Sequence, residues 1–124
     1  MIEQFIAITN NPLSKENLEK KYDVEFISSD TMAVLKKVRD YIHKGHKLLT
    51  HPLMSSIKPN ETPYRTILIS KNSYNKVDYD SLTIMEEAII TTEKFLKMGK
   101  AVWDEQVLED FRVIDYDMIY HVIN

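Results

Sequence analysis

The chain has 124 residues, 44% hydrophobic and 28% charged, with a net charge of -3 and a pI near 5.8. These values describe one ordinary domain around a single core, and the acidic balance offers no field to attract nucleic acid or an anionic membrane. There is no cysteine, which excludes disulfides, thiolate nucleophiles, Cys-ligated zinc and Cys-held iron–sulfur clusters.

Residues 2 to 9 (IEQFIAIT) are β-branched and aromatic, predicting a buried strand that Asn10, Asn11 and Pro12 bring to an end. Ser14 is placed to cap a short helix running to Tyr22, with only Leu18 and Tyr22 as an apolar face. Residues 24 to 28 (VEFIS) alternate as a second strand. Ser29 or Asp30 then caps a helix with Met32, Leu35, Val38 and Ile42 on one side, and Gly45 ends it. Lys47 to Thr50 reads as a short third strand and Arg65 to Ser70 (RTILIS) as a fourth. Ser81 is placed to cap the strongest helix, whose broad face holds Leu82, Met85, Ala88, Ile89, Thr92, Phe95 and Leu96 before Gly99. Asp104 opens a short helix bearing Val107, Leu108 and Phe111 beside Trp103. Asp115 opens a second one bearing Ile119, Val122 and Ile123.

Strands alternating with helices predict a single α/β domain over residues 1–124, three layers deep, with a mostly parallel sheet of about four strands. The link from the third strand to the fourth lacks a helix, which leaves a hairpin or an irregular crossover open there. No run approaches the ~20 apolar residues that cross a bilayer. With Glu3 and Pro12 interrupting any signal-peptide core, a cytoplasmic protein is expected. In a parallel sheet, ligands bind where strand C-termini open into loops, here Asn10 to Leu13 and His51 to Tyr64.

The second loop, HPLMSSIKPNETPY, gathers His51, Ser55, Ser56, Lys58, Asn60, Thr62 and Tyr64, with Pro52, Pro59 and Pro63 restricting its backbone. Lys58 beside two serine hydroxyls suits a carboxylate or phosphate, and Arg65 adds a second charge. Asn10 and Asn11 place two carboxamides side by side at a strand end. The expected ligand-binding set is therefore Asn10, Asn11, His51, Ser55, Lys58, Asn60, Tyr64 and Arg65. The competing explanation is structural, with prolines stiffening a crossover and asparagines filling a turn. No G-x-S-x-G elbow accompanies Ser55 or Ser56, and Gly45 and Gly99 alone cannot make a glycine-rich phosphate cradle, so no catalytic residue is assigned. Asp40, His43, His46 and His51 are metal-ligating types, but a glycine and a strand separate them, and neither a metal nor another cofactor is expected.

The stretches ITNNPL (8 to 13) and VRDYIHKGHKLLTHPLMSSIKPNETPY (38 to 64), with the ending DFRVIDYDMIYHVI, resemble the GrdX family. These are small proteins encoded with the glycine, sarcosine and betaine reductase systems of amino-acid-fermenting anaerobes. The resemblance implies a genomic setting and an accessory role, and brings no catalytic residues with it. Reductive cleavage in those systems relies on selenol and thiol groups, which this chain lacks. Three functions then compete. One is a binding protein for a small carboxylate or phosphate. A second is a small acyl- or phosphoryl-processing enzyme using His51 as acid or base. The third is an assembly or interaction factor whose later apolar segments, with Trp103 and Phe111 as anchors, dock on a reductase protein or on a second copy as a homodimer. A pocket requires His51, Lys58 and Asn10 or Asn11 to face one cavity, whereas an assembly factor needs only an exposed apolar patch.

Overall fold

Caps and apolar runs divide the chain into three strands and four helices in the computed structural model, which describes residues 2–55 and 57–124. In chain order these are β1 (Phe5–Thr9), α1 (Pro12–Leu18), β2 (Asp23–Phe26), α2 (Thr31–His43), β3 (Thr66–Ser70), α3 (Tyr79–Lys97) and α4 (Glu105–Ile123). The sheet order is β2-β1-β3, with β1 parallel to β2 and antiparallel to β3. Helices cover both faces. Val34, Leu35, Val38 and Ile42 of α2, with Met85 and Ile89 of α3, pack on Ile8, Ile67 and Ile69. Leu18 of α1 and Ile119 of α4 pack on Phe5, Ala7 and Leu68 from the other side. Alternate residues of β3 point to opposite faces, so this fully buried strand feeds both cores. Each buried Ile or Leu contributes about 1.5–3 kcal/mol over exposure. No helix among the described residues is long and apolar enough to cross a membrane.

The α/β class and its three layers match the sequence pattern, but the sheet is neither four-stranded nor mostly parallel. Lys47 to Thr50 makes only an isolated bridge, Leu48 to Ile69. The Leu49 N–H donates to the Leu68 carbonyl and the Ser70 N–H to the Lys47 carbonyl. The Leu68 N–H then goes to Thr50 Oγ1 in place of a backbone acceptor, so the ladder stops. The described residues of 51–65 contain no crossover helix, in keeping with β3 returning antiparallel to β1. The 47–50 segment itself is antiparallel to β3 and so runs in the direction of β1. That brings Thr50, Thr9 and Thr66 to one edge of the sheet.

Three helix boundaries also differ from the sequence expectation. α1 begins at Pro12, whose fixed φ suits the first helical position, and Asn11 caps it by accepting the Leu13 N–H at 3.0 Å. α3 begins a turn before Ser81, because the Asp78 carboxylate accepts both the Ser81 N–H and the Ser81 hydroxyl. Asp115 opens no helix: Asp104 caps one continuous α4 that runs through both segments.

Two glycines end helices at positive φ, and their surroundings differ. A Cβ on Gly45 (φ 99°) would lie 2.6 Å from Ser73 Oγ and 3.1 Å from the Asn75 nitrogen, whereas one on Gly99 (φ 116°) meets nothing within 4 Å. Gly45→Ala is therefore expected to cost about 2–4 kcal/mol and Gly99→Ala about 1–2 kcal/mol. Urea titration of the two variants checks the ranking, and equal losses would mean that backbone conformation alone sets the cost.

Candidate functional site

β1 ends and β3 begins at the same edge, and there the sheet turns polar. Thr9 pairs with Thr66 in register, and their hydroxyl oxygens lie 2.7 Å apart. Thr9 Oγ1 accepts the Asn11 N–H at 2.9 Å and also lies 2.9 Å from the Arg65 carbonyl, to which it donates. Thr66 Oγ1 lies 2.6 Å from Asp115 Oδ2 and 2.8 Å from Ser14 Oγ. A hydroxyl has one proton, so when Asp115 is ionised Thr66 donates to it and receives from Ser14. Asn11 completes the knot, donating from Nδ2 to Asp115 Oδ2 and to the Arg112 carbonyl, both at 2.9 Å, while its Oδ1 caps α1.

Asn10 works in the other direction. Its Nδ2 donates to the Ser29 and Pro63 carbonyls, and its Oδ1 accepts the Arg65 N–H at 2.9 Å, tying β1 to the 63–65 segment. The N–H donors of both asparagine side chains are thus engaged within the protein, and Asn11 is fully buried. The 59–64 segment is fastened to the α3–α4 connection: Asn60 Nδ2 donates to the Gly99 carbonyl at 2.7 Å and Trp103 Nε1 to the Glu61 carbonyl at 2.7 Å.

Two spaces flank this edge. An open cleft of about 620 Å³ lies beyond the C-terminal ends of β1 and β2, lined by Asn10, Ser29 to Thr31, Pro59 to Tyr64, Leu96, Lys100 to Trp103 and Leu108. This is a volume suited to a small molecule. Beside it a cavity of about 20 Å³, room for about one water, is lined by Arg65, Thr66 and Asp115, by Ser55, and by apolar groups of α4 and the 52–57 loop. Thr62 and Tyr64 line both spaces and form the wall between them. Tyr64 is braced by Arg112, whose Nε donates to the phenol oxygen at 3.0 Å and whose Nη2 is held by Glu105.

Of the residues predicted to bind a ligand, Asn10, Asn60 and Tyr64 line the cleft, and Ser55, Tyr64 and Arg65 line the cavity. His51 and Lys58 are exposed and line neither space. His51 Nδ1 accepts the Leu53 N–H, and Ser55 Oγ accepts the Ile57 N–H, each closing a turn. Ser56 lies outside the described residues. His46 sits at the opposite end of the sheet from His51, with Nδ1 2.7 Å from the Ser70 carbonyl.

The charged centre of the site is a pair in which the sequence marked only one member. Arg65 is 5% exposed, and its Nη2 is buried with no hydrogen-bond partner among the described residues. Burial pushes its guanidinium down from the ordinary range, and the charge of Asp115 partly offsets this. Burial likewise pushes the Asp115 carboxyl up, opposed by the Thr66 and Asn11 hydrogen bonds and by Arg65. The signal for Asp115 was its place in the series Phe111, Asp115, Ile119 at helical spacing, an acid on an otherwise apolar stripe. Reading the segment as two helices hid it.

Because the folded chain holds the Asp115 proton more tightly than the unfolded one, the resulting stabilisation is complete below the unfolded pKa and is lost as pH rises through the folded one. Asp115→Asn should abolish that component. Thermal melts from about pH 4 to pH 8 are expected to show wild-type stability declining above the ordinary carboxylate range, with the variant flat over the same window. A parallel decline in both would assign the effect to another group.

No curated protein and no solved structure matches the chain. A family model described as GrdX-like protein matches residues 6–124, taking in β1 from its second residue, the polar knot, both spaces and the whole of α4. With the match covering nearly its full length, the chain belongs to the GrdX-like protein family.

Proposed function

We propose that the chain is an accessory protein of a glycine, sarcosine or betaine reductase system that holds a small anion at the sheet edge bounded by residues 10–13 and 51–65. The Arg65 guanidinium carries this reading. A buried cationic N–H without an acceptor costs more than an ordinary lost hydrogen bond, and an anion beside it supplies both the acceptor and the opposite charge. The planar guanidinium suits carboxylate and phosphate oxygens, and the cleft beyond Thr62 and Tyr64 has room for the remainder of a ligand. An accessory role is in keeping with the family and with a chain that has no thiol of its own.

Calorimetric titration with acetate and with inorganic phosphate tests the seat of the charge. Arg65→Met is expected to weaken binding about 10- to 150-fold, the worth of one charged hydrogen bond, while its melting temperature stays at or above that of wild type. Lys58→Ala serves as the surface control and should change affinity less than about twofold. A loss confined to Lys58→Ala would move the anion to the outside of the loop and away from Arg65.

A second reading, docking on a reductase subunit, draws on the exposed apolar pair Met98 and Val102, 76% and 94% exposed, next to Trp103. Met98→Glu, outside both spaces, should then abolish co-elution with the reductase proteins and leave anion affinity unchanged. Retained co-elution would dismiss this patch as the contact.

A further inference from the structure

If Arg65 is the anion's seat, the reading on which this inference rests, the carboxyl lining the same cavity decides which anion fits. Arg65 and Asp115 both border the 20 Å³ space, yet no ion pair joins them among the described residues. Both side-chain hydrogen bonds that Asp115 accepts fall on Oδ2, so Oδ1 is engaged by no side chain among the described residues. Arg65 contributes an unpartnered Nη2 to the same surroundings. The remaining walls include Met54, Ile57, Ile114, Met118 and Ile119, which cannot solvate a charge.

We infer that the cavity takes a small carboxylate together with one proton, the proton shared between a ligand oxygen and Asp115 Oδ1 while the other ligand oxygen accepts from Arg65 Nη2. Charge balance requires it. Arg65 with an ionised Asp115 is neutral, so an entering anion would leave a net negative charge and set two carboxylates against each other among apolar walls. One proton drawn from solvent removes both penalties. Among the described residues the other titratable group on the cavity is Tyr64, whose phenol oxygen accepts from Arg112, itself paired with Glu105. Among the described residues, α1 and β1 present only the neutral Asn11, Ser14 and Thr9, and the neighbouring loop presents Ser55 as its polar side chain. Burial already raises the Asp115 carboxyl, the direction that favours taking up the proton. Size orders the class: a space for about one water must widen for any anion, least for the three heavy atoms of formate, more for the four of acetate and most for the five of phosphate, which also brings up to two charges.

Calorimetry of acetate and formate near pH 6, in two buffers of different ionisation enthalpy, counts the protons. Wild type is expected to take up about one proton per acetate, with affinity falling about tenfold per pH unit above the pKa of the site. Asp115→Asn is expected to bind with no proton uptake and no such pH dependence. Should that variant not fold, the wild-type buffer comparison decides by itself. Acetate bound without proton uptake would overturn the inference while leaving Arg65 as an anion seat. Phosphate bound more tightly than acetate would overturn the carboxylate class alone. Failure of formate, acetate and phosphate alike to bind would remove the anion reading itself.

Discussion

Asp115 brings an ionisable carboxyl to the inner side of α4, a helix whose one fully buried residue among those described is Ile119. A carboxylate taken from water into such a place costs several kcal/mol unless donors replace its hydration. The donors come from elsewhere in the fold: the Asn11 amide at the start of α1 and the Thr66 hydroxyl at the start of β3. Asn11 is in turn held by capping α1, and Thr66 by Ser14. The positions of two helices and two strands thus follow from accommodating one carboxyl. Arg65 is the positive charge left over, near enough to be felt and not near enough to pair.

This arrangement divides the sheet edge into a stiff part and a yielding part. Each asparagine after β1 spends its amide protons on fixed carbonyl or carboxyl oxygens, so neither side chain is free to turn toward a visitor. The wall of Thr62 and Tyr64 is different, because Tyr64 is half-buried and braced through a hydrogen bond to Arg112, a residue on the protein's outer side. Tyr64 thus lines both the cleft and the space before Arg65 while being held by a contact outside the knot.

Much of this architecture could be read in the residues. The apolar spacing of α2 and α3 and the β-branched runs of β1 and β3 are strong local signals, and the two core clusters use those residues. What was not legible depended on pairings distant in sequence. Nothing in Lys47 to Thr50 says that Thr50 will give its side chain to the Leu68 N–H and end the ladder. An Asn-Asn-Pro turn reads equally as a ligand contact or as a helix cap, and only the partners Arg112 and Asp115, about a hundred residues away, distinguish the two. Arg65 was visible as a charge near a loop; its burial was not, since long charged side chains are mostly exposed.

The Asn11 to Asp115 bond spans 104 residues, and the contact of α1 with α4 closes the chain upon itself. A ribosome making this protein at about 5–20 residues per second therefore leaves Asn11 without its carboxyl partner for at least about 5 s, and Thr66 for about half as long. During that interval β1, β2 and α2 can already pair and pack, while the face that α4 will cover stays open to water. The charged chamber consequently forms only after α4 has been made. Its appearance reports that α1, β3 and α4 have come together.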